Sequence, residues 1–325
     1  MIKFFRQSYI IQYVVIALLA IALWLPAFVS GETMAGMDAP VTPIYNLLIR
    51  LLGFSAFVLL LFAFLLMLVE ALIFNAIMVK SQIVGKVSTM GAFVFVLMMS
   101  LTSTQTNFYP FILSLVFILL LINELFEVYL SQKPELSLLK AGGFVALASL
   151  CYFPSIILII WLLVVLPIAK KGSLRLELVP IVGLIAVYFL YFVGVYLFGD
   201  FLSLMEGYQA YFASLHLSVE GFNLLNIILL VFLIGVALLL MFGNASFEKA
   251  VAVRSKMSMV VLLFVFAVIT LFLGDNLLLN GLIFLVLAIV FSYEFTYLNN
   301  TGWTDLIMVL VLLLVFANHY YFKLL

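Results

Sequence analysis

Long apolar runs that carry almost no charge are the feature that most constrains how this chain folds. A membrane-spanning helix needs about 20 apolar residues, because each residue rises about 1.5 Å along the axis and the hydrocarbon core is roughly 30 Å thick. Runs of this kind recur along the whole sequence. We therefore predict nine ordinary membrane spans, at residues 9–29, 51–78, 87–101, 108–130, 178–198, 222–242, 257–273, 277–293 and 303–319.

The composition points to the same class of protein. Of the 325 residues, 68% are hydrophobic and only 9% are charged, and the mean hydropathy is +1.40. Soluble domains carry about a quarter charged residues, so this chain must be solvated mainly by lipid. The equal counts of 14 basic and 14 acidic residues exclude nucleic acid as a partner, and a single cysteine, Cys151, excludes disulfide bonds and a thiolate metal site.

A tenth apolar region, residues 138–168, is too long for one span and has Pro154 at its middle. Proline lacks an N–H and disfavours helix in the residue before it, so we expect a break there. The two pieces, 139–152 and 154–168, would each be about 21 Å long, which fits two short spans or a re-entrant hairpin. The chain is thus predicted to be an all-α transmembrane bundle of about eleven segments (range nine to twelve), built as a single integral membrane domain over residues 1–325.

Basic residues set the predicted orientation. With the N-terminus in the cytoplasm, twelve of the 14 Lys and Arg residues fall in inner loops, and only Arg50 and Lys323 fall outside. This split follows the positive-inside rule, which the opposite orientation would violate. The first apolar run ends without an Ala-x-Ala cleavage site, so we expect it to stay as the first span.

The first outer loop, residues 30–46, holds a cluster of candidate functional residues. It contains Glu32 and Asp38, and Arg50 stands at the start of the next span. Carboxylates at the mouth of a bundle can act as a general base, hold a divalent metal or bind substrate hydroxyls, and a nearby arginine can grip a phosphate through two hydrogen bonds. The alternative is a solvated acidic loop with an interfacial arginine. No cofactor other than such a divalent metal is expected.

Residues 200–220 are predicted to form an amphipathic helix that lies flat on the outer membrane surface, because their apolar residues recur at helical spacing. The other face of this helix aligns Glu206, His216 and Glu220. One imidazole and two carboxylates in a stripe can titrate or bind a substrate. Simple solvation of a surface helix explains the same stripe without a ligand.

Three of the acidic residues inside predicted spans are candidates for a functional or packing role. Glu70 is well within the second span, where an unpaired carboxylate costs several kcal/mol, so it is either a functional group or a hydrogen-bonded contact between helices. Glu124 and Glu127 share one helix face near the inner interface, within plausible reach of Lys133 or Lys140. That spacing predicts an interfacial ion-pair network.

The small residues Ala141-Gly142-Gly143 give one segment a face that another helix can approach closely. We interpret this face as a packing surface, because the sequence has no glycine motif that cradles a phosphate. The only histidines are His216 and His319, and this count excludes a histidine-rich iron site.

Three stretches, 141–154 with its Tyr-Phe-Pro break, 183–200, and 303–320 with its leading tryptophan, resemble a bacterial family of polytopic inner-membrane proteins of uncharacterised function. The resemblance spans most of the chain. It implies a multi-pass protein of the bacterial inner membrane and no particular activity.

The layout also resembles the multi-spanning glycosyltransferases that use lipid-linked sugars, which have an acidic first outer loop and outer amphipathic helices. That resemblance implies Asp38 or Glu32 as the catalytic carboxylate and Arg50 as a contact to a polyprenyl phosphate. The first loop of this chain is short, and no soluble acceptor-binding domain follows it.

Three functions therefore remain open. The first is transfer of a sugar or similar group from a polyprenyl-phosphate carrier at the outer face. The second is a transporter or flippase, because broken helices and intramembrane acids are typical of such proteins. The third is a non-catalytic scaffold or assembly subunit that binds membrane protein partners through its small-residue face.

Overall fold

The computed structural model describes most of the chain as helix. The described residues are 2–31, 42–53, 55–84, 88–102, 106–128, 133–167, 173–199, 201–213, 230–237, 251–271, 281–297 and 301–320, and no strand occurs among them. The helices in chain order are α1 (Ile2–Phe5), α2 (Ile10–Ser30), α3 (Pro43–Leu52), α4 (Ala56–Lys80), α5 (Met90–Met99), α6 (Pro110–Val128), α7 (Pro134–Cys151), α8 (Leu158–Val165), α9 (Leu174–Phe198), α10 (Phe201–Ala213), α11 (230–237), α12 (Val251–Leu271), α13 (Leu282–Tyr297) and α14 (Thr301–Tyr320).

Six of the described helices are long and apolar enough to cross a membrane, namely α2, α4, α6, α7, α9 and α12. Four shorter apolar segments accompany them, at Met90–Met99, Phe153–Val165, Leu282–Tyr297 and Asp305–Tyr320. These helices confirm the predicted all-α class and a membrane protein. The total of about eleven crossings and the cytoplasmic N-terminus stay predictions.

The predicted start of the second span at residue 51 is wrong. Residues 43–52 form a separate helix, α3, which begins at Pro43 and is capped by Gly53, and α4 begins only at Ala56. Gly53 has a φ of +74°, a backbone conformation that glycine adopts without strain. Apolar residues on both sides of this junction hide it in the sequence, so the predicted span takes in the last two residues of α3.

The break at Pro154 is present. Tyr152 is extended, residues Phe153–Ile157 form a 3₁₀ turn, and α8 follows. The first piece is longer than predicted, because α7 begins at Pro134 rather than near residue 139. Its 18 residues give a length of about 27 Å, so α7 is long enough to be a span by itself.

Two helices, α5 and α13, form the centre of the bundle. Every residue of α5 is buried, and so is every residue of α13 from Leu282 to Phe295. Helix α9 lies at the edge of the bundle, and only 11% of the residues in its apolar stretch are buried inside the protein. Its exposed apolar side chains fit contact with lipid acyl chains.

The two ends of the bundle differ in chemistry. At one end, which we call the basic end, Lys80 contacts Glu127 and Lys140 contacts Glu124. The opposite end of α6 begins next to Phe108, and we call it the aromatic end because its side chains stack on one another. The aromatic end comprises Tyr45, Phe108, Phe111, Tyr152, Phe153 and Tyr208.

Glycines bring α7 and α9 together. A Cβ atom on Gly142 would lie 1.9 Å from the carbonyl oxygen of Pro180, and one on Gly183 would lie 2.2 Å from that of Leu139. No side chain fits at either position, so the two backbones touch. This contact confirms that the predicted small-residue face is a packing surface, and within the described chain its partner is α9 of the same protein.

Candidate functional site

Helix α3 is anchored at the aromatic end by Tyr45. The Tyr45 ring stacks on Phe108 with 5.0 Å between the centroids, and its hydroxyl donates a hydrogen bond of 3.2 Å to the Phe108 carbonyl. Burial raises the pKa of Tyr45 to about 12. Arg50 lies on the same helix and is exposed, so its guanidinium is free to meet a ligand from the membrane surface or from water.

Helix α10 also lies at the aromatic end, where it packs against the break that follows α7. The Phe153 ring lies 5.4 Å from the Tyr208 ring and 5.3 Å from the Tyr211 ring, both edge to face. Tyr152 in turn packs edge to face on Phe111 at 5.7 Å, beside the start of α6. Pro154 therefore has a second effect beyond ending α7, since the turn it creates is the surface on which α10 is held.

Tyr208 carries a buried hydroxyl that has no hydrogen-bond partner among the described residues. Desolvation raises its pKa, and the nearby phenols of Tyr188 and Tyr191 raise it further. The Tyr188 hydroxyl itself lies 2.7 Å from Ser149 Oγ on α7. Buried tyrosine hydroxyls usually find a hydrogen-bond partner, so Tyr208 is an exception among the described residues.

The structure brings only some of the sequence-predicted site residues together. Arg50 on α3 and Glu206 on α10 are both exposed, and their helices are both at the aromatic end. Glu32, Asp38, His216 and Glu220 lie outside the described residues. Helix α10 runs from Phe201 to Ala213, so the described part covers the first two thirds of the predicted 200–220 segment.

Glu70 lies in the middle of α4 and is completely buried, with 0% of its surface exposed. Neither of its carboxyl oxygens has a hydrogen-bond partner in the described part of the chain. The alternative interpretation of Glu70 as a hydrogen-bonded contact between helices therefore has no support here. Its electrostatic neighbour is the phenol of Tyr109, just before α6.

Glu124 and Glu127 belong to the ion-pair network that their spacing predicts. Lys140 Nζ lies 3.7 Å from Glu124, while Glu127 pairs with Lys80 and also accepts a hydrogen bond of 3.2 Å from Asn123. Lys80 was not among the predicted partners. These contacts join α4, α6 and α7 at the basic end, away from Arg50, and a role in packing explains them.

No group of three metal-ligating side chains occurs among the described residues. A cavity of about 50 Å³ lies between α11, α12 and α13, and its lining, which includes Ile234, Val260, Phe264 and Leu287, is almost wholly apolar. An apolar cavity of that size offers nothing to orient a polar substrate. It is therefore not a candidate site.

Sequence reasoning missed several buried polar residues that fix the bundle. Asn75 donates to the Ser88 carbonyl at 3.1 Å and accepts from the Ala92 N–H at 3.2 Å, which ties α4 to the start of α5. His319 is buried as well, and its Nε2 lies 2.6 Å from the Ser100 carbonyl oxygen. The sequence does contain a sign of both residues, because a polar residue within an apolar run is expected to face the interior of the bundle.

No protein-family model, no curated protein and no solved structure matches this chain. The resemblances to the bacterial inner-membrane family and to the lipid-linked-sugar glycosyltransferases accordingly stay predictions from the sequence.

Proposed function

We propose that this chain is a multi-pass enzyme of the bacterial inner membrane that transfers a sugar or similar group from a polyprenyl-phosphate carrier. The observation that carries the proposal is the arrangement of the aromatic end. Two short amphipathic helices, α3 with exposed Arg50 and α10 with exposed Glu206, lie at the same end. Tyr45 of α3 stacks on Phe108 just before α6, and Tyr208 of α10 packs on Phe153 in the α7–α8 break. Short helices of this kind suit the membrane interface, where the phosphate of a lipid carrier lies.

The residues supply the chemistry that such a transfer needs. A carboxylate, Asp38 or Glu32, takes the proton from the acceptor hydroxyl, whose oxygen then forms the new bond to the sugar carbon. The bond from that carbon to the phosphate oxygen breaks, and the polyprenyl phosphate leaves with the bonding electrons. Arg50 stabilises the negative charge of the leaving phosphate. A divalent metal held by the two carboxylates would serve the same purpose, and Glu206, His216 and Glu220 would bind the acceptor.

The surface of α9 fits a lipid-borne donor. This edge helix turns large apolar side chains outward, among them Leu190 and Leu197, and it ends at Gly199, directly before α10. A polyprenyl chain can lie along that surface while its phosphate stays at the interface. With the N-terminus in the cytoplasm, as the basic residues predict, the aromatic end faces outward and the acceptor is an envelope component.

The carboxylates are tested by complementation. We expect deletion of the gene to leave an envelope glycan unmodified and its lipid-linked donor accumulated, and we expect the wild-type gene to reverse both. The double variant Glu32→Gln, Asp38→Asn should reach the membrane in normal amount and fail to reverse either, because both candidate bases are neutral. Mass spectrometry of extracted lipids and glycans measures the outcome.

The matched control for this experiment is Glu135→Gln, which neutralises a carboxylate at the start of α7, near the basic end. It should restore the glycan fully. If the double variant also restores the glycan, Glu32 and Asp38 have no catalytic role and the proposed chemistry fails.

The phosphate contact is tested by lipid binding. In native mass spectra of the purified protein, we expect Arg50→Ala to weaken polyprenyl-phosphate binding about tenfold or more, since a charged hydrogen bond contributes about 1.5–3 kcal/mol. Arg175→Ala is the control, because Arg175 is also exposed but begins α9, near the basic end. Equal binding by both variants and wild type would remove Arg50 from the site.

A further inference from the structure

Glu70 has no place in the transfer reaction, and its surroundings call for an explanation of their own. It is the only acidic residue of α4, it lies ten residues before Lys80, and none of its surface is exposed. Both carboxyl oxygens are unpaired within the described part of the chain. A buried group in this state costs stability, which an apolar residue of similar size would avoid.

The helices packed against α4 offer Glu70 no counter-ion. Helix α5 has no ionisable residue, and the acidic residues of α6, Glu124 and Glu127, are paired with lysines at the basic end. On α2, Tyr13 accepts a hydrogen bond from Asn75, and on α3, Tyr45 is bound to Phe108 while Arg50 is exposed. The remaining neighbour is the Tyr109 phenol, which is itself a weak acid and supplies no positive charge.

Only the neutral acid suits this environment. A carboxylate at the centre of a membrane helix, without a donor or a cation, costs several kcal/mol, whereas the protonated acid keeps one donor and one acceptor for a polar neighbour. Tyr109 is the neighbour whose phenol interacts electrostatically with Glu70. The pair lies between α4 and the start of α6, two helices in direct contact.

We propose that Glu70 is a proton-binding site in the membrane interior, on the helix α4 that packs against α6. The ligand is a proton, and the site is separate from the transfer chemistry at the aromatic end. Intramembrane acids of this kind are typical of proteins in which protonation and conformation are linked. The inference does not depend on the proposed transferase activity.

The test is chemical labelling of the wild-type protein in native membranes with dicyclohexylcarbodiimide, an apolar reagent that reaches groups within lipid. The protonated carboxyl adds across a C=N bond of the reagent, so that the proton moves to nitrogen and the carboxyl oxygen bonds to carbon. The adduct then rearranges to a stable acylurea that keeps the whole mass of the reagent. Peptide mass spectrometry locates it.

We expect labelling at Glu70 that falls about tenfold per pH unit once the pH exceeds the titration midpoint, because only the protonated form reacts. Glu70→Gln should remove the adduct and Glu70→Asp should retain it. Glu206, exposed on α10, is the control for a carboxylate in contact with water, and it should react with a water-soluble carbodiimide at low pH instead. Absence of labelling at Glu70 at every pH, or labelling that does not change with pH, would overturn the proposal.

Discussion

Replacing Gly183 by alanine should destabilise the protein severely, by about 3 kcal/mol or more, although the change adds a single methyl group. That methyl carbon would lie 2.2 Å from the Leu139 carbonyl oxygen and 3.1 Å from the Gly143 nitrogen. Both are backbone atoms, so no side chain can rotate away. The helices α7 and α9 would have to separate along their length, which would also stretch the contact between Ser149 and Tyr188.

Gly194→Ala is the matched control, because Gly194 is on the same helix and no atom of the described residues lies within 4 Å of its added carbon. Alanine there should be neutral or stabilising by up to about 1 kcal/mol, as its helix propensity exceeds that of glycine. Thermal unfolding of both variants in the same detergent measures the difference. Equal melting temperatures for Gly183→Ala and Gly194→Ala would mean that α7 and α9 do not touch as described.

The second large effect is expected for Asn75→Ala, which should lower the free energy of unfolding by about 2–4 kcal/mol. The substitution leaves the Ser88 carbonyl and the Ala92 N–H without their side-chain partner in a buried region. It also removes the donor to the Tyr13 hydroxyl at 3.4 Å. Since α5 is buried on all sides, loosening its first turn should weaken the centre of the bundle.

Asn123→Ala serves as the comparison for this prediction. Asn123 is only partly buried and makes a hydrogen bond to Glu127, which Lys80 also holds. Its loss should cost less than about 1 kcal/mol, as is usual for partly exposed polar contacts. A larger loss for Asn123→Ala than for Asn75→Ala, in the same unfolding assay, would contradict the assigned role of Asn75.

Local chemistry explains which parts of the fold the sequence predicts well. The break at Pro154 follows from the missing N–H of proline, and the α7–α9 contact follows from small residues that admit a second backbone. Each feature is decided by a few adjacent residues. The all-helical membrane class follows in the same way from the length of the apolar runs.

Features that depend on distant partners were not predictable. The α3–α4 junction at Gly53 lies within a continuous apolar stretch, so hydropathy alone merges the two helices. Glu127 pairs with Lys80, which lies 47 residues away in sequence, and not with a lysine that is nearer in sequence. The unpaired hydroxyl of Tyr208 depends on how α10 meets the turn after α7, and only the packed structure reveals it.

For the candidate site, the residue types can be identified from the sequence, and the structure adds the placement of some of these residues. Arg50 and Glu206 lie on different helices, more than 150 residues apart in sequence, and share one end of the bundle. Charge patterning predicts that both residues lie in outer regions, but it does not predict that their helices share one end. The aromatic contacts of Tyr45 and Phe153 hold the two helices at that end, and none of the candidate site residues takes part in these contacts.

Electron cryo-microscopy of the protein in lipid nanodiscs with added polyprenyl phosphate would show whether this lipid binds at the aromatic end. We expect density for the phosphate within hydrogen-bonding distance of Arg50, with the isoprenoid chain along α9 and Asp38 or Glu32 facing the phosphate. A phosphate bound at the basic end, or no bound lipid at a saturating concentration, would overturn the proposed site.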